Sequence, residues 1–211
     1  MTRTAGILHT VPALAPVFHE LVTRGNDIEV IHAVDPRLLA TAIREGVTPE
    51  VTALVAEHIA DLVDAGAEAI LVTCSSIGEA VDAAAAAAGV PVIRVDEAMA
   101  HRAVELAAAG SGRIAVLATL AATLGPTGRL VERAGSADVT ALVVEGAAAA
   151  RAAGDTATHD RLIAEAIDAA DADVILLAQA SMANAVALAS TATPVLTSPE
   201  SGAAQLVREL S

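Results

Sequence analysis

The chain repeats itself, and the repeat limits what it can fold into. Ala67-Glu-Ala-Ile-Leu-Val-Thr-Cys-Ser-Ser-Ile-Gly-Glu-Ala-Val81 aligns without gaps on Ala172-Asp-Val-Ile-Leu-Leu-Ala-Gln-Ala-Ser-Met-Ala-Asn-Ala-Val186. Pro91-Val92-Ile93 then matches Pro194-Val195-Leu196 after a two-residue gap, and upstream Ala5-Gly-Ile-Leu-His-Thr10 matches Ile114-Ala-Val-Leu-Ala-Thr119. Ala-rich sequence inflates such matches, but three blocks in one order point to two halves related by duplication.

Each half alternates short apolar runs with Ala-rich helical segments. Strands are expected at Arg3–His9, Ile28–Ala33, Ala69–Thr73, Val92–Val95, Arg113–Ala118, Val139–Val144, Val174–Ala178 and Pro194–Thr197. Their near-continuous apolar character suits strands of a parallel sheet buried on both faces. Thr48-Pro49-Glu50 reads as a helix start, with Thr as cap, Pro in the first turn and an acid behind it. Asp155 or Thr156 starts another helix, ending near Ala170. The expected class is α/β: two pseudosymmetric Rossmann-like lobes with parallel sheets and the active site in the cleft between them. Residues 1–95 form the first lobe, with a terminal helix over 200–211 packing on it, and residues 96–199 form the second.

Composition excludes several functions. The formal net charge is −14, and the 12 basic residues are scattered Arg, so no basic stripe offers itself to phosphates. Phe18 is the one benzenoid side chain, which leaves no aromatic platform for nucleobases. A single cysteine, Cys74, forms no disulfide within the chain. The mean hydropathy of +0.59 raises the question of a membrane. The longest uncharged stretch, Val174–Pro199, carries Gln179, Asn184 and several Ser and Thr, a polar load that a spanning helix does not tolerate. Pro12 and Pro16 interrupt the early apolar run, so a cytoplasmic protein is expected. The Ala-rich, apolar surface fits a homodimer.

In open parallel sheets, ligands sit beyond the carboxyl ends of the strands. The repeat places His9-Thr10, Thr73-Cys74-Ser75-Ser76, Thr119 and Gln179-Ala180-Ser181 at such ends. Cys74 ends a strand before a helix, where N–H groups favour a thiolate; a buried structural cysteine is the competing reading. Ser75 and Ser76 suit either anion binding or helix capping, and so do Thr119 and Thr123. His9 is a candidate proton shuttle; a hydrogen-bonded structural histidine is the competing reading. The remaining histidines show no ligand spacing, so no metal is expected. No P-loop or dinucleotide fingerprint is present, so no cofactor is expected either.

The block Ile70-Leu-Val-Thr-Cys74-Ser-Ser76 resembles the first active-site motif of the aspartate/glutamate/hydantoin racemase superfamily. Ala115-Val-Leu-Ala-Thr119 through Thr123 is similar to its G-x-x-x-T-x-x-x-T segment, and Ile175-Leu-Leu-Ala-Gln179-Ala-Ser181-Met182 to its second cysteine motif, L-L-G-C-A-G-M. The resemblance implies cofactor-independent chemistry at the carbon α to a carboxylate. In such racemases two cysteines face opposite sides of that carbon, and relatives include a decarboxylase and a cis–trans isomerase. Here Gln179 stands where the second cysteine belongs, and an amide neither takes nor gives a proton in this range. A symmetric two-thiol racemase is therefore not available to this chain. The resemblance implies one-thiol chemistry at Cys74 on a small carboxylate, racemase-, isomerase- or decarboxylase-like. His9 is the candidate second base, and Thr10, Thr73, Ser75, Ser76, Thr119, Thr123, Gln179, Ala180 and Ser181 are the candidate substrate contacts. The competing class is a non-catalytic carboxylate-binding protein on the same scaffold.

Overall fold

A computed structural model describes residues 2–211. The chain divides into two compact units, one ending at Glu97 and rejoined by Pro199–Ser211, the other spanning Ala98–Ser198. In the first unit β1 (Arg3–His9), β2 (Ile28–Val34), β3 (Ala69–Val72) and β4 (Val92–Arg94) form a sheet in the order β2-β1-β3-β4. In the second, β5 (Arg113–Ala118), β6 (Asp138–Val143), β7 (Val174–Leu177) and β8 (Val195–Leu196) repeat that order as β6-β5-β7-β8. Every pairing is parallel. Parallel neighbours need crossover connections, and the Ala-rich segments supply them as helices.

Register repeats along with order. Ile7 pairs with Leu71 and Val116 with Leu176; Leu71 pairs with Ile93 and Leu176 with Leu196. These are the partners that the sequence alignment of the two halves makes equivalent, so the duplication holds at the level of individual pairs.

Local sequence explains the elements. Thr48 accepts a hydrogen bond from the Val51 N–H at 3.3 Å and opens the helix Pro49–Asp64, with Pro49 in its first turn. Asp155 caps Thr156–Ala169 through the Thr158 N–H at 2.9 Å. β3 and β7 are buried at every residue. In the second sheet Val116 and Leu176 pack on one face with Met99, Ala103 and Leu130, while Leu117 and Leu177 pack on the other with Ile163 and Ile167. Side chains alternate across a strand, so both faces must be apolar. Gly6, in β1, sits where a Cβ would lie 2.9 Å from that of Ala67, so the turn into β3 approaches as closely as it does only because Gly6 has no side chain. No helix of the described residues is long and apolar enough to cross a membrane.

Candidate functional site

Both sheets end in the same way. In each, the residue after the first central strand is a threonine, and the second central strand runs into a chemically distinctive residue: Thr10 with Cys74, and Thr119 with Gln179.

Cys74 is half-buried and follows β3 in extended conformation (φ −126°, ψ 108°). Directly behind it comes one 3-10 turn, Ser75–Ile77, and only then the α-helix Gly78–Ala85. That helix is capped by Ile77 without a side-chain hydrogen bond, so neither serine caps it. Cys74 instead draws hydrogen bonds from the Thr10 and Ser76 side chains and from the backbone N–H groups of Ser76 and Ile77. These favour the thiolate, but burial outweighs them and pushes the thiol up from its ordinary value. Cys74 is therefore a thiol at neutral pH rather than the standing thiolate that its position in the sequence suggests. Beside it, the Ser75 hydroxyl is buried and has no hydrogen-bond partner among the described residues.

A buried ion pair supports this turn. The Arg94 guanidinium, at the end of β4, bonds both oxygens of Asp96 at 3.1 and 3.0 Å and reaches Asp82 at 2.8 Å. It lies so close over Gly78 that a Cβ there would sit 2.3 Å from the guanidinium carbon. In the sequence Arg94 is one of the scattered arginines, with nothing local to mark it. Its role emerges only when β4 pairs beside β3.

His9 is fully buried, and both its ring nitrogens are engaged. Nδ1 lies 3.0 Å from the Thr73 hydroxyl, and Nε2 lies 2.9 Å from Nδ1 of His32. His32 Nε2 in turn lies 3.2 Å from Nδ1 of exposed His19. The Thr73 hydroxyl donates to the Leu8 carbonyl at 3.2 Å, so it accepts from His9. That fixes the string: Nδ1–H of His19 donates to His32, Nδ1–H of His32 to His9, and Nδ1–H of His9 to Thr73. Burial, reinforced by His32, pushes His9 down to about 4. His19 and His32 carry no signal in their spacing, because residues so far apart meet only when β2 lies beside β1.

In the second unit, Gln179 caps its 3-10 run, Ala180–Leu188, without a side-chain bond. Its Oε1 instead accepts from the Thr119 N–H at 2.6 Å and from the Thr119 hydroxyl at 2.9 Å. Thr119 does not cap the helix Ala121–Ala134, which starts at Leu120 with no side-chain cap. Thr123 is buried in the first turn of that helix, its N–H on the Leu120 carbonyl at 3.0 Å. Ala180 is buried and Ser181 half-buried just beyond Gln179. Among the described residues no group of three or more His, Cys, Asp or Glu is placed to hold a metal ion.

The fold is shared with solved structures of low identity. A glutamate racemase, isoform RacE1, from Bacillus anthracis superposes with a TM-score of 0.77 at 18% identity, over 98% of this chain and 80% of that one. Glutamate racemase from Thermus thermophilus gives 0.74 at 19%, over 99% and 80%. Arylmalonate decarboxylase gives 0.64 at 21%, over 99% and 92%. No curated protein sequence matches this chain. The family model for Asp/Glu/hydantoin racemase, in contrast, matches residues 8–206, and the chain belongs to that family.

Proposed function

We propose that this chain is an enzyme acting at the carbon α to a carboxylate of a small acid, with Cys74 as its single proton-transferring group and without a cofactor. The observation that carries this is the placement of Cys74. It is the only thiol, it stands half-buried at a strand end, two backbone N–H groups and two hydroxyls serve its sulfur, and an unpartnered hydroxyl, Ser75, lies next to it. A structural cysteine needs none of these.

The raised thiol favours the role of acid over that of resting base. A decarboxylation of a substituted malonate needs one such acid. The bond from Cα to one carboxylate breaks, carbon dioxide leaves, and the electron pair remains as an enediolate. The Cys74 S–H then gives its proton to Cα, and solvent restores the thiol. Ser75 is suited to donate to a carboxylate oxygen as charge builds there, the kind of preorganised stabilisation that lowers such barriers most. His9 has no part in this chemistry, because Thr73 and His32 occupy both its ring nitrogens.

The test is incubation with substituted malonates, amino acids and hydantoins in D₂O, following α-deuteration by NMR and release of carbon dioxide. The expected result is carbon dioxide release with one deuteron at Cα, lost in Cys74→Ser. Turnover untouched by that substitution removes Cys74 from the mechanism. Binding without any turnover by the parent protein makes the chain a binding protein.

A further inference from the structure

We propose that Gln179 is a fixed hydrogen-bond donor that selects ligands presenting a carboxylate or carbonyl oxygen and rejects ligands presenting an ammonium, and that Thr119 is the positioning residue that sets this polarity. A glutamine side chain is ambivalent by nature, since its oxygen accepts, its nitrogen donates, and rotation exchanges them. Here the choice is made by a group that cannot change. The Thr119 backbone N–H is an obligate donor, and at 2.6 Å from Oε1 it excludes the flipped amide, which would set N–H against N–H. The Thr119 hydroxyl adds a second donor to the same oxygen at 2.9 Å. Oε1 is then saturated. The Nε2 amino group has no partner among the described residues, and Gln179 is only half-buried, so this is the end it offers to a ligand.

The same arrangement in the first unit supports the assignment independently. The repeat makes Thr10 the counterpart of Thr119 and Cys74 that of Gln179, and Thr10 also hydrogen-bonds its partner. The threonine thus acts as an orienting group in both halves. Its hydroxyl proton in the second half is spent on Gln179, so Thr119 does not also donate to a carboxylate as the sequence alone suggested. The inference stands apart from the function proposed above and names what a ligand of this strand end must present: an oxygen acceptor, as a carboxylate or carbonyl, in place of the ammonium of an amino acid.

The test is NMR observation of the Gln179 side-chain amide, assigned by its loss in Gln179→Leu. The full chain is titrated with sodium malonate and, at matched ionic strength, with ethylammonium chloride. Malonate is expected to move the Gln179 amide signals and ethylammonium to leave them in place. Thr119→Val, which keeps the backbone N–H and removes the second donor to Oε1, is expected to weaken malonate binding roughly 3- to 10-fold while ethylammonium still leaves the signals in place, and Thr119→Ser, which keeps the hydroxyl, to restore it. Equal responses to both probes or no response to malonate overturns the assignment of Gln179, and a Thr119→Val protein that binds like the parent overturns the part given to the Thr119 hydroxyl. A malonate response without deuteration or carbon dioxide release leaves it standing while removing the catalytic reading. Turnover without that response does the reverse.

Discussion

Thr10 and Cys74 are joined by a side-chain hydrogen bond across the ends of β1 and β3. This bond favours the thiolate against a burial that opposes it. Alkylation of Cys74 by iodoacetamide should therefore be slow at neutral pH and accelerate up to a higher pH than for a free cysteine, since the thiolate is the reactive form. Thr10→Val removes one stabilising group and should slow alkylation a further 3- to 10-fold or so at a given pH, with the profile moved to higher pH. Rates measured across pH for both proteins check this. A faster Thr10→Val protein would mean that Thr10 serves the thiol rather than the thiolate.

The buried His9 makes stability depend on acid. Below its ordinary value of 6.5 the unfolded chain binds a proton at His9 that the folded chain refuses until about pH 4. The unfolded state binds more protons throughout that window, so stability falls as pH falls through it, by up to about 3 kcal/mol. His32, also pushed down by burial, adds to the same slope. With no Trp or Tyr in the chain, urea unfolding is best followed by far-ultraviolet circular dichroism. The expected outcome is a lower midpoint at pH 5 than at pH 7, and a smaller difference in His9→Gln.

Arg94 is the most exacting packing element near the site. Arg94→Met leaves Asp96 buried without its cation, a change that costs about 3–5 kcal/mol. Gly78→Ala forces a methyl against a guanidinium that three hydrogen bonds hold in place, and should cost about 1–3 kcal/mol. Thermal unfolding should show both losses. Cys74 alkylation should quicken in each, because the turn Ser75–Ile77 loosens and burial of the thiol relaxes.

Equivalent core positions should respond alike. Leu71 and Leu176 occupy matched places in the two sheets, and each is fully buried. Each change to Ala should cost about 2–5 kcal/mol. Chemical denaturation of the two variants compares them directly, and a large effect of one beside a negligible effect of the other would break the equivalence.

How much of this could be read from sequence differs by element. β1 and β5 fall where their apolar runs begin and end, because a strand buried on both faces cannot hide its composition. The cap at Thr48 was equally plain, since capping is a local interaction. Cys74 and Gln179 were placed by the repeat. What the sequence did not show is long-range. Ser75 reads as an anion ligand or a cap because nothing local announces that a 3-10 turn precedes the helix. Thr119 looked like a cap or a ligand because its bond to Gln179 depends on β5 lying beside β7. The His19–His32–His9 string crosses from a helix to an edge strand to a central strand, and no spacing along one chain encodes that.

The matched register has an evolutionary consequence. The stretch from Leu71 to Ile93 is two residues longer than that from Leu176 to Leu196, yet the strands at either end pair identically. Length change since the duplication has been absorbed in the crossovers, because slipping a strand by one residue would turn its apolar side chains to the wrong face. Strand ends therefore kept their addresses while the residues at them were free to diverge. One copy could retain a thiol and the other acquire an amide without either sheet having to be refolded around the exchange.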